Sequence, residues 1–409
     1  MSARAAGQPM NEPAAGRSPT MHAAGRPLTM HAAGRPLTMH AAGRPDVALF
    51  LPSLDAGGAE RVMLDLADAF LELGVAAELV LASRRGPYLE DVPSELPVVD
   101  LGRSRVATSL LPLGAYLRRR RPRALLSTLE HANVAALAVR RVAPGIRAVI
   151  REANTVSRDL ASGEVRSRVL LRLMRWTYPT ADAVVAVSAG VARDLSERLH
   201  VPAGRLHVIE NPVLTPRLRA GAREPLDHPW FGAGEPPVVL AAGRLTPQKG
   251  FATLLRAFAR ARSRRPCRLV VLGEGEQRAE LEALATELAV AEAVSLPGFV
   301  PNPFPHMARA GAFVLSSAWE GLPNVLIQAL ALGAPVVATD CRSGPAEILD
   351  GGARGNLGAL VPVGDEVAMA EAILGALERG RAAPPQSWLE RYDRDAVAKR
   401  YLEVLGVDG

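Results

Sequence analysis

The stretch SSAWEGLPNVLIQALALGAPVVATDCRSGPAEIL, residues 316–349, contains the pattern that decides the fold. An apolar run at 313–315 comes directly before it and predicts a buried strand. The next residues predict a helix that begins near Leu322, has proline in its first turn and ends at Gly333. The run 336–339 predicts a second strand. A strand, a helix and a strand in this order indicate a parallel sheet covered by helices, which is the α/β class.

The start of that helix predicts a binding site for an anion. In open parallel sheets, ligands bind outside the carboxyl ends of the strands, where helix N-termini offer unpaired N–H groups and a partial positive charge. The N–H groups of Asn324, Val325 and Leu326 are therefore the predicted seat of a diphosphate. Glu320 precedes this seat and Gln328 lies one turn beyond Asn324, so both side chains can face a bound nucleotide.

The same stretch resembles the donor-site signature of the retaining glycosyltransferases of family 4, which carry Glu-x7-Glu at this place. The spacing is kept from Glu320 to Gln328, but the second carboxylate is an amide here. The resemblance implies the GT-B architecture, in which two Rossmann-like doubly wound parallel-sheet domains face a cleft. It implies that Glu320 contacts the donor sugar and that Gln328 bonds the ribose without bringing charge. Apart from the resemblance, the pattern also fits a strand, loop and helix of another doubly wound protein.

Length and composition narrow the class of protein. A chain of 409 residues predicts two or three domains. Two cysteines, Cys267 and Cys341, are too few for a disulfide framework and indicate a reducing compartment without a cysteine-built metal site. The apolar runs are shorter than the roughly 18 residues that a membrane span needs, and the N-terminus lacks a signal-peptide core. We therefore expect a cytoplasmic protein, at work in the cytoplasm or at the inner face of the cytoplasmic membrane.

The first 44 residues are low in complexity. The sequence MHAAGRPLT occurs at 21–29 and again at 30–38, and its Ala, Gly, Arg and Pro content predicts a disordered leader. Because each copy supplies a methionine, Met39 is a second candidate for the start of translation. The expected order after the leader is an N-terminal Rossmann-like acceptor domain at 45–215, a linker at 216–236, a C-terminal donor-binding domain at 237–384 and, from the resemblance, a helix at 385–409 that crosses back to the first domain.

Two glycine-containing turns follow predicted strands and open helices. The first, GGAER at 57–61, resembles the family's first loop, and Gly57 and Gly58 would let the backbone approach the donor phosphates. The second, GRLTPQKG at 243–250, carries Arg244 and Lys249. Two cations in one turn can neutralise a leaving diphosphate, so the resemblance implies a catalytic role for both and no metal or other cofactor. The alternative for either cation is solvated surface charge.

Two further segments of the second half are similar to nucleotide-contacting segments of the family. Glu274, in GEGE at 273–276, either approaches the nucleotide or caps the next helix. The segment VSLPGFV at 294–300, with Phe299, resembles the part whose backbone reads the base. From this resemblance we expect uridine.

The first half of the chain contains four further candidate site residues. His131 follows the strand predicted at 124–129, where related enzymes place a histidine near the donor; the alternative is a capping histidine. Arg151, Glu152 and Asn154 are predicted just past a strand end, in a stretch that resembles the SERN-like segment of bacterial transferases building lipid-linked or surface polysaccharides. These three are candidates for contact with the acceptor or the sugar, and a surface salt bridge is the alternative.

Two segments of the predicted acceptor domain carry clustered positive charge. LRRRRPR at 117–123 is a compact run of cations. The helix predicted at 164–178 gathers three arginines on one face and three apolar residues on the opposite side, namely Arg168, Arg172 and Arg175 against Leu170, Leu173 and Met174. Both segments suit peripheral contact with an anionic membrane, and a solvated helix face is the alternative. Nucleic acid is not an expected partner, because aromatic residues make up only 4% and do not interleave with the arginines.

These observations predict a retaining glycosyltransferase that transfers a sugar from a nucleotide-diphosphate donor to a glycan or lipid-linked acceptor in cell-surface polysaccharide assembly. Two other classes remain open at this point. A nucleotide-sugar epimerase of the same architecture would need no acceptor sugar. A non-catalytic partner subunit would keep the fold, and the amide at Gln328 is compatible with it.

Overall fold

The computed structural model describes residues 43–55, 57–156, 165–350 and 357–408. The predicted repeat leader lies outside these ranges except for its last two residues, and so does the candidate start at Met39. All described residues belong to one compact unit that contains two parallel sheets.

The first sheet has seven parallel strands in the order β3-β2-β1-β4-β5-β6-β7. Its central strands are short runs of apolar residues buried on both faces, as expected when helices cover both sides of a parallel sheet. The strands are β1 (Val47–Leu51), β2 (Ala77–Leu81), β3 (Val98–Asp100), β4 (Ala124–Thr128), β5 (Arg147–Glu152), β6 (Ala183–Ala186) and β7 (Leu206–Val208).

The second sheet has six strands in the order β10-β9-β8-β11-β12-β13, all paired in parallel. The strands are β8 (Val238–Ala242), β9 (Arg268–Leu272), β10 (Val294–Gly298), β11 (Ala312–Leu315), β12 (Val336–Thr339) and β13 (Ala359–Val361). In both sheets the strand order reverses once, between β1 and β4 and between β8 and β11. Ligands of doubly wound sheets bind at the carboxyl ends of such switch-point strands.

The α-helices of the described chain connect these strands and cover both sheets. They are α1 (Gly58–Glu72), α2 (Leu110–Arg120), α3 (Glu130–Val139), α4 (Val165–Thr177), α5 (Ala189–Leu199), α6 (Pro216–Gly221), α7 (Phe251–Arg262), α8 (Arg278–Glu287), α9 (Phe304–Arg309), α10 (Asn324–Ala331), α11 (Pro345–Leu349), α12 (Glu366–Arg379), α13 (Gln386–Arg391) and α14 (Arg394–Leu405). None of the helices in the described ranges is both long enough and apolar enough to span a bilayer.

The last helix, α14, packs on the first sheet although the second sheet precedes it in the chain. It contacts α1, β4 and β5, and Val397, Tyr401 and Leu405 are buried in the core of the first sheet. The predicted crossing back of the C-terminal helix is therefore confirmed. Arg394, at the start of α14, is almost completely buried and pairs with Asp68 and Glu72 of α1.

We expect replacement of Arg394 by alanine to lower the free energy of unfolding by about 2 kcal/mol, because charged hydrogen bonds at a buried site are lost. The measurement is the thermal unfolding midpoint. The matched control is Arg264→Ala, because Arg264 pairs with Glu371 at an exposed position and such pairs contribute little. Equal midpoints for the two variants would contradict this role of Arg394.

Candidate active site

Lys249 and Glu320 lie side by side at the switch point of the second sheet. Lys249 follows β8 and Glu320 follows β11, and these two strands are neighbours in the sheet. The Lys249 Nζ is 2.6 Å from Glu320 Oε1, with the two side chains 16% and 9% exposed. Ser317 Oγ donates a second hydrogen bond to the same carboxylate oxygen at 2.7 Å. The pair is thus a largely buried ion pair at the edge where ligands of this sheet type bind.

The two loops that carry this pair are joined by hydrogen bonds from side chains to backbone carbonyl groups. Ser316 Oγ donates to the Lys249 carbonyl oxygen at 2.7 Å, and Gln248 Nε2 donates to the Trp319 carbonyl oxygen at 3.0 Å. Gly250 has a φ of +62°, and a Cβ there would lie 2.2 Å from the Ser316 carbonyl oxygen. Glycine is therefore required at this position, both by the backbone conformation and by the close approach of the loops.

Arg244 is the second cation of the predicted turn. Its side chain is exposed and, among the described residues, makes neither a hydrogen bond nor an ion pair. It lies within electrostatic range of Glu60, in the first turn of α1. Burial raises the pKa of Glu60, and the charges of Arg244 and Arg151 oppose that rise. Arg244 therefore lies close enough to the start of α1 for its charge to act on Glu60.

The start of α1 contains the predicted glycines. Gly57 is the N-cap residue, and a Cβ there would meet the Glu60 carboxylate at 2.2 Å. A Cβ at Gly58 would have no atom within 4 Å. A side chain at position 57 would therefore displace the end of the flexible Glu60 side chain, whereas Gly58 borders open space.

The helix expected near Leu322 begins two residues later, at Asn324, with Pro323 as its N-cap residue. Pro323 has an extended backbone, and the residue before a proline disfavours the helical conformation, so Leu322 does not begin the helix. Within the described chain the N–H groups of Asn324 and Val325 have no acceptor, but the N–H of Leu326 donates to the Pro323 carbonyl oxygen at 3.1 Å.

The predicted anion seat therefore has two free donors and not three. Gln328 lies one turn further along α10 and is half-buried.

Arg151 and Glu152 are not past a strand end: they are the last two residues of β5, and both are 1% exposed. The alternative of a surface salt bridge is wrong as well, because Arg151 pairs with no carboxylate of the described residues. Its guanidinium donates to Thr128 Oγ1 at 3.0 Å and to Asn211 Oδ1 at 2.6 Å. Because buried charged residues are rare, the sequence pattern of a strand does not indicate that Arg151 and Glu152 are buried.

Glu152 holds the turn that follows β5. Its Oε1 accepts from the N–H groups of Ala153 and Asn154 at 3.1 and 3.3 Å, and its Oε2 accepts from the Tyr178 hydroxyl at 2.9 Å. Burial, followed by the charge of Glu130, raises the pKa of Glu152 to about 8. Glu152 therefore acts on the site through the backbone of this turn.

That turn lies against the Glu320 loop. A Cβ at Gly321 would lie 1.8 Å from the Ala153 carbonyl oxygen and 3.2 Å from Asn154 Cα. Asn154 is half-buried. The structure therefore brings Asn154 next to the residue after Glu320, while Arg151 and Glu152 lie in the interior.

The remaining predicted residues lie around this centre. His131 is exposed in the first turn of α3, directly after the carboxyl end of β4. Phe299 is 64% exposed directly after β10. Glu274 pairs with Arg278 of α8 at 2.6 Å, and the N-cap residue of α8 is Gln277. The alternative of Glu274 as the helix cap is therefore wrong.

Sequence reasoning missed several polar residues that join the two sheets beside Glu320. Glu347 of α11 accepts hydrogen bonds from the N–H groups of Ala189 and Gly190 at the start of α5, at 2.7 and 2.9 Å. Ser188, the N-cap residue of α5, donates to the Gly321 carbonyl oxygen at 3.1 Å. Only the stretch GPAEIL after β12 hinted at Glu347, because the partners are far apart in sequence.

Two family models match the chain. One, described as Glycosyltransferase Family 4, matches residues 56–217, and one described as Glycosyl transferases group 1 matches residues 236–379. Together they cover every strand of the two sheets except β1.

Two curated bacterial proteins are similar along most of their length. The chain is 32% identical over 379 residues to the N-acetylgalactosamine-N,N'-diacetylbacillosaminyl-diphospho-undecaprenol 4-alpha-N-acetylgalactosaminyltransferase of Campylobacter jejuni, with 88% of this chain and 99% of that protein covered. It is 29% identical over 366 residues to the lipopolysaccharide core biosynthesis glycosyltransferase LpsE of Rhizobium meliloti, with 85% and 96% covered.

Solved structures support the same fold. Anabaena HepE in complex with UDP-glucose superposes with a TM-score of 0.70 at 20% identity, covering 88% of this chain and 99% of that one. The apo lipopolysaccharide outer core galactosyltransferase WaaB gives 0.66 at 18% identity, with the same coverage. At these identities the likeness concerns the fold alone. From the two family models and the full-length similarity to the Campylobacter enzyme, the chain belongs to glycosyltransferase family 4 and has the GT-B fold predicted from the Glu320 stretch.

Proposed function

We propose that this protein is a retaining glycosyltransferase that transfers a sugar from a UDP-sugar to a glycan or lipid-linked acceptor in bacterial cell-surface polysaccharide assembly. The observation that carries the proposal is the contact of Lys249 Nζ with Glu320 Oε1 at the switch point of the second sheet. The names of the relatives support the acceptor class, since one acts on a diphospho-undecaprenol-linked glycan and another in lipopolysaccharide core synthesis. The HepE complex supports a UDP-linked donor.

In the proposed reaction the site stabilises a leaving diphosphate. Lys249, Arg244 and the free N–H groups of Asn324 and Val325 supply positive charge and hydrogen-bond donors where the bond between the sugar and the phosphate breaks. Because these protein groups neutralise the negative charge of the leaving diphosphate, no metal ion is needed in the proposed reaction. Glu320 orients the sugar through its hydroxyls.

Retention follows if the acceptor hydroxyl attacks from the face that the phosphate leaves. The anomeric carbon then loses its bond to the phosphate oxygen and gains one to the acceptor oxygen, and the acceptor proton passes to the departing phosphate. No protein nucleophile is required in this scheme.

We expect Lys249→Ala to lower kcat for sugar transfer by roughly 100-fold or more, because one preorganised positive group at the leaving diphosphate is removed. The measurement is release of nucleoside diphosphate coupled to glycan formation. Lys399→Ala is the matched control, since Lys399 is the other lysine of the sequence and lies exposed on α14.

Equal rates for the Lys249 and Lys399 variants would contradict the assignment of Lys249. Wild-type protein that alters the donor sugar without any acceptor would identify an epimerase, and wild-type protein inert with every nucleotide sugar would identify a non-catalytic subunit.

We also propose that the exposed face of α4 docks on an anionic membrane. Contrary to the predicted separation into a basic and an apolar side, Leu173 is 42% exposed, and so are Val169 and Trp176, at 55% and 63%. They alternate along α4 with three exposed arginines, namely Arg168, Arg172 and Arg175. Apolar groups that insert among lipids beside cations that bind headgroups are typical of helices lying at a membrane surface.

The other basic run, LRRRRPR, does not share the edge of the candidate active site. It joins the end of α2 to the start of β4, so it lies at the amino ends of the strands. Arg120 pairs with the largely buried Glu78, and Arg123 pairs with Asp46. Part of this run therefore stabilises the fold through ion pairs. The membrane proposal rests on α4 alone.

We expect the double variant Leu173→Ser, Trp176→Ser to reduce binding to vesicles that contain phosphatidylglycerol by roughly tenfold, because two inserting side chains are lost. The measurement is cosedimentation with anionic and with zwitterionic vesicles. Val367→Ser is the matched control, since Val367 is an exposed apolar residue of α12 in the second half. The proposal would be contradicted if wild-type protein did not bind anionic vesicles, or if the double variant bound them as well as the control variant does.

A further inference from the structure

Arg151 is a buried cation whose partners are neutral. Its side chain is 1% exposed, and within the described ranges no carboxylate forms an ion pair with it. A guanidinium can only donate hydrogen bonds. The group that receives the bond from Nη2 must therefore be an oxygen, and in this structure it is Oδ1 of Asn211 at 2.6 Å.

The bond from Arg151 fixes the orientation of the Asn211 amide, and the Asn211 amide in turn fixes that of Asn324. Because the oxygen of Asn211 faces Arg151, its nitrogen faces away, and Nδ2 donates to Oδ1 of Asn324 at 2.6 Å. The side-chain oxygen of Asn324 thus accepts the bond from Asn211, which leaves the Asn324 NH2 group as a hydrogen-bond donor. Among the described residues that NH2 group has no acceptor, and Asn324 is half-buried at the first residue of α10.

The chain of contacts crosses from the first sheet to the second. Arg151 ends β5, Asn211 lies between the last strand of the first sheet and α6, and Asn324 begins α10 beside the free N–H groups of the anion seat. Asn211 is 4% exposed, so water does not compete freely for its amide.

We propose that Arg151 is a positioning residue that, through Asn211, makes Asn324 present hydrogen-bond donors to the diphosphate of the sugar donor. This inference rests on the proposed function. It replaces the expected contact of Arg151 with the acceptor or the sugar by an indirect role. A donor at this place complements phosphate oxygens, whereas an amide oxygen turned toward them would repel them.

A purely structural role of these residues makes a different prediction from an orienting role, and Asn211→Asp separates the two. The substitution keeps the shape of the side chain and gives Arg151 a carboxylate partner, so the folded state is not weakened. The introduced carboxylate has no N–H to donate, so Asn324 must turn its NH2 toward that carboxylate and its oxygen toward the cleft.

The test compares the dissociation constant for UDP, by calorimetry, and the unfolding midpoint without ligand, in wild type and in Asn211→Asp. We expect an unchanged or higher midpoint together with UDP binding weakened by about 5- to 10-fold, the effect of one lost hydrogen bond. Gln386→Glu is the matched control, because it makes the same amide-to-carboxylate change at an exposed position of α13 and should leave the affinity unchanged.

A double-mutant cycle separates orientation from simple repulsion by the new charge. If Asn211→Asp acts through the amide of Asn324, its effect on UDP affinity disappears when Asn324 is already alanine, whereas repulsion by the new charge persists there. Equal UDP affinity of Asn211→Asp and wild type, a loss that is just as large in the Asn324→Ala background, or a loss matched by a lower unfolding midpoint would each overturn the inference. Wild-type protein that binds no nucleoside diphosphate would overturn the proposed function instead.

Discussion

The ion pair of Lys249 and Glu320 joins two loops that are 71 residues apart in the chain and adjacent at the edge of the second sheet. It forms because β8 and β11 are neighbouring strands, and because Gly250 lets the first loop approach the backbone at Ser316. A cation and a carboxylate are thereby held in a largely buried place, where electrostatic interactions are stronger than in water. Arg244 lies in the same turn as Lys249 and α10 begins four residues after Glu320, so the groups proposed to receive a diphosphate belong to the two loops that this contact joins.

The first half of the chain meets the Glu320 loop and the start of α10 through close backbone approaches and neutral side chains rather than through exposed charges. Gly321 lies directly against Ala153, and Glu347 occupies the N–H groups at the start of α5, where a carboxylate is favoured by the helix dipole. Glu152, two residues before Asn154, fixes the turn that makes the Gly321 contact. The position of the Glu320 loop is therefore a property of both sheets.

The fold and the positions of the loops after β8 and β11 were predictable because short apolar runs, glycine turns and prolines are local signals. They predicted parallel sheets, the turn with Arg244 and Lys249, and the start of α10 to within two residues. Burial of charge was not predictable: Arg151 and Glu152 look like polar residues at a strand end, and only partners distant in sequence, such as Asn211 and Tyr178, explain their place. The apolar face of α4 was misjudged for a related reason, since periodicity does not tell which side of a helix meets the sheet.

The most direct test of the central claim is a crystal structure of the protein with UDP bound. The account predicts that the diphosphate lies at the start of α10, with its oxygens within hydrogen-bond distance of Lys249 Nζ, the Arg244 guanidinium and the N–H groups of Asn324 and Val325. A diphosphate bound elsewhere, with Lys249 still paired only with Glu320 and Arg244 directed into solvent, would contradict it.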